Sequence, residues 1–203
     1  MSKPGMKVII PMGGFGTRLR PHTWSRPKQL ISMAGKPVLA HVMDTFTTLP
    51  EPEDLEYVFI VGKLGEQIRA YMNTYYPKLQ VTYVVQEEMR GQSHAISLAR
   101  EYLQGPMLMV FADTLVETDL SFLAHETAGG VAWVKQVPDP RRFGVAVVND
   151  AGRVIRLVEK PQTMENNLVV VGFYYFQNSL ELLGAIDEQM ERGIQLKGEY
   201  FLT

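Results

Sequence analysis

Gly13-Gly14-Phe15-Gly16-Thr17-Arg18 is the first stretch whose residue types could do chemistry. Glycines let backbone N–H groups come close to an anion and form a concave nest around it. Thr17 adds a hydroxyl donor, and Arg18 adds a planar fork suited to phosphate oxygens. The two best-known phosphate loops do not fit. In G-x-G-x-x-G the third glycine position is taken by Leu19, and no Gly-Lys-[Ser/Thr] follows to make a Walker loop. Taken alone, the glycines suit a plain turn with a surface arginine as well as a phosphate cradle. Charge bears on the same segment. Lys3, Lys7, Arg18, Arg20, Arg26, Lys28 and Lys36 all precede the first acidic residue, Asp44, in a chain whose net charge is -2. A local positive field on a mildly acidic body points to a small polyanion held near the N-terminal segment. The overall acidity argues against nucleic acid.

Such a loop needs a scaffold, and the apolar periodicities supply one. Lys7 to Met12 reads as a buried strand cut off by Gly13. Residues 38–49 put Val38, Leu39, Val42, Met43, Phe46 and Leu49 on one helical face, with Pro37 at the start. Strands at Glu56–Val61, Gln80–Val85 and Met107–Phe111 alternate with helices at Gly65–Tyr76 and Ser93–Leu103. Ser93 reads as the N-cap of the second helix. This alternation predicts a parallel, doubly wound sheet. After residue 111 come strands at 131–137, 145–148, 154–159 and 168–176 with few helices between. A hairpin turn is expected at Val148–Gly152. Asn178 then caps a last helix with Glu181 as its capping-box partner. Ligands of open α/β sheets sit at the carboxyl ends of the strands. The loops after Met12, Val85 and Phe111 should therefore converge on one cleft.

Composition narrows the chemistry further. A chain of 203 residues, 46% apolar and 21% charged, is an ordinary globular mix for which one domain is the expectation. The absence of cysteine excludes a disulfide scaffold, a Cys-ligated metal and a thiol nucleophile. The longest apolar stretch, Leu168 to Phe176, is too short to span a bilayer, and the start shows no cleavable signal. A cytoplasmic address is therefore expected. His22, His41 and His125 have no metal-ligand spacing to one another. His94 reads as a packing or capping residue.

Pro21, Thr23, Arg26-Pro27-Lys28-Gln29-Leu30 and Gly35-Lys36-Pro37-Val38 follow the glycine loop at fixed intervals. Here the sequence resembles the sugar-1-phosphate nucleotidyltransferases, or nucleotide-sugar pyrophosphorylases, most nearly their glucose-1-phosphate thymidylyltransferase-like members. That family carries G-G-x-G-T-R-L-x-P-x-T, then P-K-x-L, then G-K-P before a helix. The resemblance implies an α/β fold: a Rossmann-like, doubly wound, mostly parallel sheet, with a later antiparallel β extension forming the sugar side of the cleft. It implies a nucleotide cradle of Gly13, Gly14, Gly16 and Thr17. It places Lys28 between the sugar phosphate and the nucleotide α-phosphate, and Arg18 on the departing pyrophosphate. Lys36 belongs to the same signature, and both ligand contact and local packing remain open for it. Arg20 and Arg26 read as solvated or steering charges.

The later landmarks carry the resemblance along the chain. Gln86 and Gly91 match the base-reading loop, where a glutamine amide offers a donor and an acceptor to a thymine or uracil edge. Asp113 stands where the family binds Mg²⁺, although Ala112 and Thr114 depart from the usual G-D-N. Arg142-Phe143-Gly144-Val145 resembles R-[FY]-G-V, which implies Gly144 close to the sugar. Glu159-Lys160-Pro161 matches E-K-P, which implies Glu159 on sugar hydroxyls and Lys160 on the sugar phosphate. Gly172 would complete the sugar pocket. The family also has a second aspartate in a W-x-D-x-G-T-like segment, and this sequence contains none. The expectation is one nucleotidyltransferase domain over 1–203 without the family's C-terminal part. The implied reaction joins a nucleoside triphosphate, dTTP or UTP, to a sugar 1-phosphate of glucose type and releases pyrophosphate. The partners are then these two small molecules, with neither nucleic acid nor membrane, and a homo-oligomer is left open. The missing carboxylate keeps a second reading alive, a non-catalytic nucleotide-sugar-binding or regulatory domain.

Overall fold

The computed structural model describes residues 5–202. The chain runs through β1 (Lys7–Met12), a short ribbon of β2 (Ser32–Met33) and β3 (Lys36–Pro37), then α1 (Val38–Thr45) and β4 (Glu56–Val61). Next come α2 (Gly65–Tyr75), β5 (Gln80–Val85), α3 (Gln92–Leu98) and β6 (Met107–Val110). The later half holds β7 (Gly130–Gln136), β8 (Gly144–Val148), β9 (Val154–Glu159), β10 (Leu168–Phe176) and α4 (Ser179–Glu191). All but the ribbon join one sheet in the order β5-β4-β1-β6-β10-β8-β9, with β7 also paired to β10. The first four of these strands are parallel. From β10 onward every pairing is antiparallel. The expected α/β architecture, a mostly parallel sheet with a later antiparallel extension, is the one observed.

Both faces of the parallel part are covered, which explains why its strands are continuously apolar rather than alternating. Val8, Ile10 and Met12 of β1 join one core with Leu39, Val42, Phe59, Ile68 and Met72. Ile9, between them, joins the opposite core with Ile60, Ile96, Met109, Leu183 and Ile186. Successive strand residues point to opposite faces, so one strand feeds both cores. On one side of β1 lies β4 and on the other β6, so the order reverses at β1. A crevice opens at such a switch point, at the carboxyl ends of the strands. Gly13 follows the end of β1, and Asp113 follows the end of β6.

A bulge in β10 shapes the far side. Its pairing with β7 shifts between Val170 and Tyr174. Val169 pairs with β8, whereas Phe173 to Phe176 pair with β6. Gly172 sits in the bulge at φ 82°, and a Cβ there would lie 2.6 Å from Cδ2 of Phe111. The Phe111 N–H donates to its carbonyl at 2.9 Å. Positive φ and close approach both require glycine at this position.

Three local expectations change. The helix expected over 93–103 begins at Gln92 with Gly91 at its N-cap, and beyond Leu98 it tightens into a 3-10 turn at Arg100–Tyr102. Ser93 is therefore not the cap. Its N–H donates to the Tyr200 carbonyl at 3.1 Å, so the distant chain satisfies an N–H that a cap would otherwise serve. The helix expected over 38–49 ends at Thr45 and closes with a 3-10 turn at Phe46–Thr48. Asn178 does cap α4, its Oδ1 accepting from the Leu180 N–H at 3.2 Å. Its amide also reaches Glu181 Oε1 at 3.4 Å, so the acid meets the cap's side chain. The Val148–Gly152 turn forms as expected, with Asn149 Oδ1 accepting from the Ala151 and Arg153 N–H groups. Among the described residues no helix is long and apolar enough to cross a membrane.

Among the described residues Ser93 Oγ has no hydrogen-bond partner, and it is buried. An unsatisfied buried hydroxyl costs stability. Ser93→Ala should therefore stabilise the fold by about 1 kcal/mol, read as a raised denaturation midpoint; a lowered midpoint would mean that the hydroxyl has a partner.

Candidate active site

The glycine loop leaves β1 through a crowded passage. A Cβ on Gly13 would lie 2.5 Å from Oε1 of Gln86, and one on Gly62 would lie 2.4 Å from the Gly13 carbonyl oxygen. Backbone thus packs on backbone where β1 and β4 end. Gly16 takes a left-handed conformation, φ 60° and ψ 31°. The buried Thr23 holds it there, its hydroxyl donating to the Gly16 carbonyl at 2.7 Å. Thr23 is the last member of the loop signature, so the structure gives it a bracing task. Thr17 to Leu19 then form a single 3-10 turn.

Lys28 begins a second 3-10 turn, Lys28–Leu30. The next residue, Gln29, is buried and donates from Nε2 to the Met12 carbonyl at 3.5 Å, which ties the turn to the end of β1. The Lys28 ammonium is thereby aimed across the crevice. Its Nζ lies 2.5 Å from Oδ2 of Asp113, 85 positions later in the chain. A cavity of about 450 Å³ runs beside this pair and is lined by Gly13, Gly14, Thr17, Lys28, Gln86, Gly91 and Asp113. Seven of the residues expected from sequence therefore share one space.

Gln86 follows β5, and its Nε2 donates to the Gly91 carbonyl at 3.2 Å and faces His94 Nδ1 at 3.3 Å. His94 is thus more than packing. Burial first, then the Arg90 guanidinium, lowers its pKa, against smaller opposing effects of Glu88. The ring is held neutral near pH 7. Gly91 stands at φ 99°, and a Cβ on it would meet the Tyr200 N and O at 2.5 Å.

That last contact reveals what sequence reasoning missed. The Tyr200 N–H donates to the Arg90 carbonyl at 2.9 Å, and the Arg90 guanidinium lies 5.6 Å from the Tyr200 ring centre. Gln189 Nε2 donates to the Phe201 carbonyl at 2.6 Å. So pinned, the segment lays Glu199 and Phe201 into the cavity wall. The available signal was an aromatic pair, Tyr200-Phe201, outside any periodic element.

A second cavity, about 410 Å³, shares Gln92, Phe111 and Phe201 with the first. Gly144, Glu159 and Gly172 line it, together with Lys135, Phe143 and Tyr174. Burial, and then the Glu159 carboxylate, push the Tyr174 hydroxyl well above the usual phenol range. It stays a neutral donor beside an acceptor. Lys160 takes φ 45°, and its Nζ lies 2.5 Å from Glu159 Oε1 and 4.5 Å from the Phe201 ring centre. The sheet extension thus offers a carboxylate, an ammonium and aromatic faces, the mixture that suits a polyhydroxylated ring carrying an anion.

Other expected residues stand apart. Arg18 is exposed on its 3-10 turn, and Gly16 and Lys160 flank the cavities rather than line them. Lys36 is ion-paired with Asp44 of α1 and lines neither cavity, which favours local packing. Arg20 lines a smaller space of about 270 Å³ behind the loop, with Trp24 and Lys63. For a metal, the described residues contain no group of three His, Cys, Asp or Glu. Asp113 offers one accessible carboxylate at the cavity mouth. That donor set fits Mg²⁺, which completes its shell with water and substrate phosphates, and does not fit an ion caged wholly by protein.

Comparison with known proteins places this geometry in context. Residues 7–196 match the family described as Nucleotidyl transferase. The bifunctional protein GlmU of Methanocaldococcus jannaschii is 35% identical over 93% of this chain, which spans 44% of that protein. The UTP–glucose-1-phosphate uridylyltransferase AglF of Haloferax volcanii is 30% identical over 84% of this chain and is covered over 72% of its own length. The chain spans about half the length or less of the bifunctional relatives it matches. A UDP-glucose pyrophosphorylase complexed with UDP-glucose superposes with a TM-score of 0.75, covering 90% of this chain and 79% of its own at 19% identity, a likeness of fold.

Gly91 and Gly14 make opposite predictions. Gly91→Ala must strain a positive φ and displace the Tyr200 backbone, so it should cost about 1–3 kcal/mol. It should also expose the 199–202 segment to protease. Gly14 has nothing within 4 Å of its Cβ position, so Gly14→Ala should stay within about 0.5 kcal/mol of wild type. Equal denaturation midpoints for the two variants would refute the account of the Gly91 contact.

Proposed function

We propose that this chain, which belongs to the nucleotidyl transferase family, acts as one domain that joins a nucleoside triphosphate to a sugar 1-phosphate, giving a nucleotide sugar and pyrophosphate. UTP or dTTP is the favoured nucleotide and glucose 1-phosphate the favoured sugar phosphate. The observation that carries this reading is the Lys28 ammonium, which shares a cavity with the glycine loop and points at Asp113 instead of bulk solvent.

The reaction needs two anions brought together. A phosphate oxygen of the sugar phosphate attacks the α-phosphorus in line, and the bond to the pyrophosphate leaving group breaks. The attacking monoester is largely dianionic at neutral pH, with a second pKa of about 6, so no protein base has to take a proton. Catalysis is then positioning and charge neutralisation. In this reading the loop amides and the Thr17 hydroxyl cradle the triphosphate, and Arg18 swings in from its exposed turn onto the departing pyrophosphate. Lys28 screens the repulsion between the two reacting phosphates. Glu159 accepts from sugar hydroxyls, Lys160 faces the sugar phosphate, and Gly144 and Gly172 let the sugar ring come close to backbone. Asp113 would hold Mg²⁺, which supplies further neutralisation of phosphate charge.

The test is pyrophosphate release by the purified chain with UTP or dTTP and glucose 1-phosphate. Lys28→Ala should lower kcat by about 10²–10³, the effect of losing one preorganised charge-stabilising group. Unchanged kcat in that variant would remove Lys28 from the mechanism. Tight nucleotide-sugar binding without any pyrophosphate release would instead favour the binding-module reading, for which the absence of a cluster of three metal-ligating side chains among the described residues speaks.

A further inference from the structure

We propose that His94 is a positioning residue that fixes the orientation of the Gln86 amide, so that the site selects a nucleobase carrying a ring N–H. The inference rests on the nucleotidyl-transfer reading above and deepens it on the side of the base.

Gln86 is 5% exposed, and its freedom is small. Its backbone N–H donates to the Val61 carbonyl at 2.8 Å, continuing the β4–β5 ladder. At the other end, Nε2 donates to the Gly91 carbonyl and faces His94 Nδ1. The amide nitrogen has two hydrogens, and two acceptors flank it. Its donor capacity is therefore spent inside the protein. Oε1 points the other way, against Gly13, with no hydrogen-bond partner among the described residues. The amide thus offers the cavity an acceptor alone, not the donor-and-acceptor pair expected from sequence.

Turning the amide over would set Oε1 against the Gly91 carbonyl and the lone pair of Nδ1. Both contacts would then be acceptor against acceptor. The carbonyl cannot change, so the switchable member is the imidazole. Nδ1 accepts only while it carries no hydrogen. Burial and the Arg90 guanidinium oppose protonation of the ring and outweigh the opposing effects of the Glu88 carboxylate and backbone. Arg90 is itself held against the Tyr200 ring, and Glu199 of the same segment lines the cavity. The charged groups acting on the ring are Glu88 and Arg90, both on its own loop.

An acceptor at Oε1 has a clear preference. Uracil and thymine present N3–H to it and guanine N1–H, whereas cytosine and adenine present a ring lone pair. A site built around one buried acceptor loses more with a ligand that faces it with another acceptor than with one merely smaller. His94 touches no ligand in this scheme. It acts through Gln86.

Calorimetric titration of UTP and of CTP into the full chain tests this without turnover. Wild type should bind UTP more tightly than CTP by about tenfold or more, the worth of one buried hydrogen bond. His94→Leu should lower that ratio about tenfold, by weakening UTP. His94→Asn, whose amide oxygen can accept, should restore part of the preference. In wild type the ratio should hold near neutral pH and fall as pH drops below the ordinary imidazole value of about 6.5, because burial and Arg90 lower the His94 pKa, and in His94→Asn it should stay level. The sign follows from chemistry: the neutral ring is the acceptor, and the protonated ring presents a donor that turns the amide over. Taking the ratio cancels titration of the triphosphate itself. A ratio unchanged in a folded His94→Leu overturns the inference. If that variant does not fold, the wild-type pH profile decides, and a flat ratio overturns it as well. Pyrophosphate release with equal UTP and CTP affinity would sink the role of His94 and leave the enzymatic reading intact. Absence of both nucleotide binding and pyrophosphate release would overturn both.

Discussion

A cation and an anion 85 residues apart in the chain are held 2.5 Å apart at the mouth of the crevice, and the candidate site is organised around that meeting. The Lys28–Asp113 pair does little for stability. The Asp113 side chain is 56% exposed, and ion pairs in water contribute about 0–1 kcal/mol. Its worth is positional. It shows that the turn after Pro27 and the loop after β6 deliver opposite charges to one place. In the proposed reaction, phosphates entering the cavity meet an ammonium already pointed inward. The pair must then be shared or broken, at small cost because water and phosphate oxygens replace what is lost.

What imposes the meeting is backbone. β1 and β6 lie side by side and parallel, so their carboxyl ends open at the same level. Gly13 is squeezed between Gly62 and Gln86, Gly172 sits against Phe111, and Gly91 sits against Tyr200. At each of these contacts a single added methyl would part the segments. The three contacts link the ends of β1, β5 and β6 to the bulge in β10 and to the segment after α4. Rigidity of this kind suits a reaction whose catalysis is mainly placement.

Much of this was legible in the sequence, and for stated reasons. Continuous apolar runs at 7–12, 56–61 and 107–110 gave the parallel strands, since a sheet covered on both faces leaves no polar alternation to confuse the reading. The glycine loop and the lysine after Pro27 could be read because close backbone approach and charge permit few residue types. The role of residues 199–202 was not legible. They pair with Arg90–Ser93 across a gap of more than a hundred positions, and no local pattern encodes such a contact. The same pairing relieved Ser93 of the capping task that its position in the sequence suggested. Gln86 was recognised as a residue, but its orientation depends on His94 and the Gly91 carbonyl, which only the fold brings near it. The bulge at Gly172 likewise follows from competition between β6, β7 and β8 for one strand.

The two ends of the first cavity differ in kind, and the difference has a physical reason. In the proposed reaction the phosphates lie toward Lys28 and Asp113. Charges act over several ångströms, and they discriminate little among nucleotides because every triphosphate carries the same oxygens. Toward the proposed base end stand Gln86, Gly91 and a histidine whose pKa is lowered. Neutral dipoles attract weakly, but an acceptor facing another acceptor in a dry pocket is costly. In the proposed reaction affinity is therefore drawn from one end and identity from the other. The lowered pKa of His94 keeps the ring that faces the Gln86 amide uncharged.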